Sequence, residues 1–163
     1  MNTNSQAEIL PQTKIITGKD ARISARLFNI GNVFSMLPGL IVAPFAVLTH
    51  PGPTGMIFMF IAMVVPPILW FGVSIVIYII ARYHPNPLVG EFTQQAAYRY
   101  YGTICVVIPV GTFFGTQWEN WIITGGIVGL ILVPWSLWEL YKIQKIDWQD
   151  VEVTVEETHW EQA

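Results

Sequence analysis

Few side chains in this sequence combine reactive chemistry with a useful position. Glu139 is the one ionisable residue that falls within an apolar segment, three residues before Lys142. Such a residue is a functional pointer in a membrane-spanning segment, yet an interfacial i,i+3 pair accounts for it well enough. Asn29 and Asn32 stand about one turn apart at the start of another apolar segment, where an interhelical hydrogen bond is sufficient reason for them. His50, His84 and His159 are scattered, with no spacing that resembles a metal site. Cys105 is the only cysteine and sits among apolar residues, where a thiol stays protonated and inert. It has no histidine beside it to make a nucleophile pair. No phosphate-binding glycine loop precedes a basic residue and a helix. The sequence therefore leads us to expect no catalytic residues, no cofactor, no metal and no enzyme.

Glycine and proline say more. Gly111-x-x-x-Gly115 and Gly125-x-x-x-Gly129 flank a very short connection, which puts them at similar depth on neighbouring helices. Small residues at this spacing let helix backbones approach closely. They could pack the hairpin against itself, the preferred reading, or form a homo-oligomer contact. Prolines at 38, 44, 66, 67, 109 and 134 interrupt all four apolar segments. Carbonyls freed at such breaks bind ions or substrates in transporters, although neighbouring helices or hydroxyls commonly satisfy them instead.

The elements that carry these residues follow from composition. Apolar residues make up 53% of the 163 and charged residues 12%, about half the roughly 25% usual in soluble proteins. Lipid must therefore replace much of the water as solvent. The net charge of −3 is too small to suggest a nucleic-acid partner. Four spans are expected, at about 27–49, 56–81, 100–117 and 122–141, between a polar N-terminal tail (1–26) and an acidic C-terminal tail (142–163). The second span holds 26 uncharged residues, more than the roughly 20 needed to cross the hydrocarbon core. The N-terminal tail reads as mobile, with a short interfacial helix near 20–26. A short amphipathic helix is expected on the membrane surface at 88–96. No removable signal peptide is apparent.

The fold class is thus all-α, a polytopic membrane protein of four transmembrane helices. All eight basic residues fall on one side of this topology, which places both termini in the cytoplasm by the positive-inside rule. Aromatics support the boundaries, with Trp118 and Trp121 at the outer interface, while Trp70 is expected between helices. A bacterial inner membrane is the expected location.

The acidic tail is patterned. Six acidic residues and no basic ones follow residue 146, and Val151-Glu-Val-Thr-Val155 alternates with period two. Trp148, Val151, Val153 and Val155 are candidate partner-docking residues, in a strand or short motif that adds to a sheet edge. The bland alternative is a solvated tail repelled by anionic lipid.

Pro67-Ile-Leu-Trp70, His84-Pro-Asn-Pro-Leu-Val-Gly-Glu91 and Gln95-Ala96 carry a resemblance. The stretch 67–97 resembles a group of small four-span membrane proteins of uncharacterised function, distantly similar to the Tic20 import component of chloroplasts. The resemblance implies a four-span scaffold and no agreed activity.

The expected function is a non-catalytic integral membrane subunit or accessory of a larger inner-membrane assembly of secretion, import or conjugation type. Its partners would be the lipid bilayer and other membrane protein subunits. The alternative is a small oligomeric transporter or channel.

Overall fold

The structure, a computed structural model, describes residues 12–115 and 117–155. The first eleven residues, residue 116, the end of the acidic tail with His159, and the side chains of Gln12, Phe114, Trp118 and the candidate docking residue Val155 lie outside the described residues. A short strand β1 (Gln12–Ile16) leads into four long helices, α1 (Gly18–Thr49), α2 (Pro53–Arg82), α3 (Pro87–Phe114) and α4 (Trp118–Lys145). A second strand, β2 (Val151–Val155), follows.

Each helix boundary has a local cause. Thr17 caps α1, its hydroxyl accepting from the Asp20 N–H at 3.2 Å. His50 ends α1 in the left-handed region at φ 44°, after which Pro51 and Pro53 prevent continuation. Asn86 caps α3 by accepting from the Leu88 N–H at 3.1 Å, and Pro87 supplies the preset φ of a first helical residue.

Two expected surface helices are absorbed into longer ones. Residues 20–26 are the first turns of α1, and residues 88–96 are the first turns of a continuous α3. Val89, Thr93, Ala96 and Ala97 on α3 are buried inside the bundle. Propagating an existing helix adds a hydrogen bond per residue without a new nucleus, so the polar first half of α3 runs directly into its apolar second half. All four helices run through their prolines without interruption.

Three helices, α1, α2 and α4, are long and apolar enough to cross a membrane. Glu91, Thr93, Gln94, Gln95 and Arg99 make the first half of α3 markedly more polar. The outward surface is that of a membrane protein. Phe34, Leu48, Phe58, Ile68, Leu69 and Phe113 are among many large apolar side chains left exposed, far more than a water-facing monomer carries.

The helices alternate in direction around an antiparallel α1–α4 pair. A Cβ on Gly39 would lie 3.2 Å from the Gly125 carbonyl oxygen, and one on Gly129 would lie 3.2 Å from the Met36 carbonyl. Those contacts set the depth of α4 against α1. The core then divides into three layers, around Phe28, Tyr100 and Leu132 in the middle, Ala25, Val89 and Ile143 at the terminal end, and Ala43, Met63 and Ile122 at the other.

The terminal segments are not both free tails. β1 and β2 pair antiparallel, with Ile16 opposite Val151, Lys14 opposite Val153 and Gln12 opposite Val155. An otherwise all-helical fold therefore carries a two-stranded ribbon at the end where α1 begins and α4 finishes. The α2–α3 loop is at the same end, since Ala81 and Val89 pack with Ala21, Ala25 and Ile143.

Candidate functional site

The polar residues of α1 are placed by a knot joining three helices. Asn32 is 1% exposed. Its Nδ2 donates to the Ala96 carbonyl on α3 at 3.4 Å, and its Oδ1 accepts from Trp70 Nε1 on α2 at 2.9 Å. The Trp70 ring lies across Gly31, where a Cβ would collide with the indole. Phe28 meets the rings of Trp70, Tyr100 and Tyr101 edge-on, with centroids 5.5, 6.4 and 6.1 Å away. Tyr100 then donates its hydroxyl to the Pro67 carbonyl at 2.8 Å. Trp70 does pack between helices, and the interhelical role expected of the asparagine pair falls to Asn32. Three residues of the sequence resemblance, Pro67, Trp70 and Ala96, meet in this knot.

Closer to the terminal end lies a buried ion cluster. Glu139 is 3% exposed, and one carboxylate oxygen faces Arg99 Nη1 at 3.4 Å and Lys142 Nζ at 3.0 Å. Arg99 also donates Nε–H to the Gln95 carbonyl at 3.0 Å and rests its guanidinium 5.2 Å from the centre of the Trp135 ring. The i,i+3 pair read from the sequence is present, and Arg99 joins it from α3. Nothing in the local spacing could reveal that partner, forty positions away on another helix.

Several buried polar atoms around this cluster have no protein partner among the described residues. They are both amide atoms of Asn29, Thr93 Oγ1, Glu139 Oε2, Arg99 Nη2 and Arg26 Nε. Asn29 precedes Asn32 by about a turn and Thr93 precedes Ala96 by the same step. Because Asn32 meets Ala96 and α1 runs parallel to α3, both lie at one depth. Unpaired buried polar groups are costly and uncommon, so their concentration here marks the most polar part of the helix bundle.

The four glycines singled out from the sequence serve different contacts. Gly111 and Gly115 leave room for the Trp121 indole, whose Nε1 donates to the Gly115 carbonyl at 3.1 Å. Gly125 and Gly129 face α1, beside Gly39, Leu40 and Met36, and Gly125 also meets Met63 of α2. The two GxxxG faces thus do not meet each other. Trp121 occupies the space beside the α3 pair, and α4 turns its small residues toward α1.

On the far side of the aromatic knot is an apolar cavity of 390 Å³, lined by all four helices and open at its margin on α2 and α3. Ser35, Gly39, Gly125 and Val128 form its floor on α1 and α4, while Met63, Pro67, Ile104 and Val107 are among its walls on α2 and α3.

The tail residues are held at the ribbon. Trp148 donates Nε1–H to the Ile143 carbonyl at 2.9 Å and sets its ring 6.3 Å from that of Phe92. Asp150 accepts from the Gly18 N–H at 2.7 Å. Val151 and Val153 are half-buried on β2, and one edge of β2 is occupied by the chain's own β1.

Among the described residues no group of three or more His, Cys, Asp or Glu could hold a metal ion. His84 serves its loop, accepting from the Asn86 N–H at 3.1 Å. Cys105 is exposed on the outer surface of α3. No protein-family model, curated protein or solved structure matches the chain.

Proposed function

We propose that this protein is a non-catalytic membrane subunit that docks a partner on the ribbon formed by its two terminal segments. α3 completes a fourth crossing, and both termini lie in the cytoplasm. The membrane is a bacterial inner membrane, and the partner belongs to an assembly of secretion, import or conjugation type.

The observation that carries this reading is the ribbon itself. Two short strands are marginal on their own, yet these are fixed at their base by the Asp150–Gly18 hydrogen bond and the seated Trp148 indole. Pairing leaves an outer edge on each strand, five residues long in each case. An exposed edge is a template for a further strand, with main-chain hydrogen bonds supplying affinity. Ile15, 58% exposed on β1, adds an apolar side chain beside that edge. All eight Lys and Arg belong to the ribbon half of the bundle, which favours the cytoplasmic side for it. Under this reading, the likeness of 67–97 to the Tic20-like group is one of scaffold, because its residues tie α2 and α3 to α1.

The test is purification of the tagged native protein in mild detergent with mass spectrometry of bound proteins. Wild type should retain a stoichiometric membrane partner that is lost when 147–163 are deleted, while membrane insertion survives. Retention of every partner by the truncated chain would refute ribbon docking. A second reading, a small oligomeric transporter or channel, draws on the unpaired polar atoms around Glu139 and Asn29. It predicts ion or solute flux in liposomes containing only this protein.

A further inference from the structure

We propose that the cavity between the four helices is a binding site for one acyl chain of a bilayer phospholipid, admitted between α2 and α3. Three observations lead there.

The first is the state of its polar groups. Four polar side chains line the cavity, and each has already donated its hydrogen within the protein. Ser35 donates to the Asn32 carbonyl at 3.1 Å, Tyr100 to Pro67 at 2.8 Å, Trp121 to Gly115 at 3.1 Å and Thr124 to Asn120 at 2.7 Å. These side chains offer no remaining hydrogen to a polar ligand, and the rest of the wall is hydrocarbon, thioether and aromatic ring. A cavity of this character does not hold water well but takes apolar molecules. That chemistry selects a hydrocarbon and disfavours an ion, a sugar or a peptide.

The second is its opening. The floor residues Ser35, Met36, Gly39 and Val128 are buried, whereas Ile68, Phe71 and Ile108 at its margin are exposed. The exposed margin belongs entirely to α2 and α3. Their outward surfaces continue into Leu69 and Val106, also exposed. The mouth therefore faces lipid tails, and a chain can enter sideways without its headgroup leaving the interface.

The third is size. A cavity of about 150 Å³ accepts benzene. On that scale the 390 Å³ here corresponds to about sixteen carbons, a chain rather than a solvent-sized molecule. Along α3 the lining runs from Tyr100 to Ile108, eight residues or about 12 Å at helical rise. The chain must therefore bend or fold within the cavity. Occupancy of this site is independent of whether the ribbon binds a partner.

The experiment is photolabelling of the full chain in nanodiscs doped with a phospholipid carrying a diazirine on one acyl chain, with adducts mapped by tandem mass spectrometry. Wild type should label Met63, Val64, Ile104 and Val107 at least five-fold above the lipid-facing residues Leu69 and Val106. Val64→Phe and Val107→Phe, which fill the cavity, should each reduce the cavity adducts at least five-fold. Val106→Phe, outside it, should leave them unchanged. Adducts spread evenly over the outer surface of wild type would overturn the proposal without any variant. So would cavity labelling that persists in both filled variants when they remain monodisperse.

Discussion

Replacing Arg99 by Met should destabilise the protein by about 3 kcal/mol, whereas replacing Arg99 and Glu139 together should cost far less than the sum of the single changes. Glu139 is 3% exposed and Arg99 14%, so their ion pair is shielded from solvent. Removing one member of a buried pair leaves a charge without compensation, at a cost of about 3–5 kcal/mol. Lys142 still faces the carboxylate at 3.0 Å, which places Arg99→Met near the lower end of that range. Lys142 is itself 48% exposed, so its own loss should cost no more than about 1 kcal/mol. Glu139→Met strands the Arg99 guanidinium and should resemble Arg99→Met. The double variant removes both charges, and burial of two methionines is about neutral relative to a buried ion pair. The assay is equilibrium unfolding in mixed micelles followed by circular dichroism and tryptophan fluorescence, analysed as a double-mutant cycle. A coupling energy below about 1 kcal/mol, or an Arg99→Met variant as stable as wild type, would show that water reaches the cluster and screens the pair.

Other consequences can be measured in the same system. Trp70→Phe should cost about 1–2 kcal/mol by leaving the buried Asn32 oxygen without its donor. Gly31→Ala should cost about 1–3 kcal/mol by displacing the indole, and both changes should shift tryptophan emission. Asn29→Leu should be neutral or stabilising, because neither amide atom has a partner among the described residues; a loss above about 1 kcal/mol would instead reveal a bound polar species at that depth. In a Cys105→Ser background, cysteines at positions 14 and 153 should form a disulfide on mild oxidation, since Lys14 and Val153 are register partners. Failure to cross-link would remove the ribbon. In the same background, cysteines at positions 52 and 117 should react with an impermeant maleimide added outside intact cells, and position 14 only after permeabilisation. The opposite pattern would invert the orientation, and protection of 117 alone would deny α3 its crossing.

The sequence by itself determined the long apolar helices and their turns. Length, hydropathy and the proline-glycine boundaries are local quantities, and backbone hydrogen bonding inside lipid leaves a helix as the only open choice for such segments. The period-two run at 151–155 admitted a strand, because alternation is a property of consecutive residues, but left a solvated tail equally open until β1 was seen to pair with it. Tertiary structure decided the partners. Arg99 reached Glu139, β1 reached β2, and the α4 glycines turned to α1 because side chains from distant positions share one depth, which no spacing along the chain encodes. The cavity is the clearest case. Its wall draws on all four helices, and its apolar character depends on hydroxyls whose hydrogens are already committed to carbonyls, a fact of geometry that residue type cannot convey.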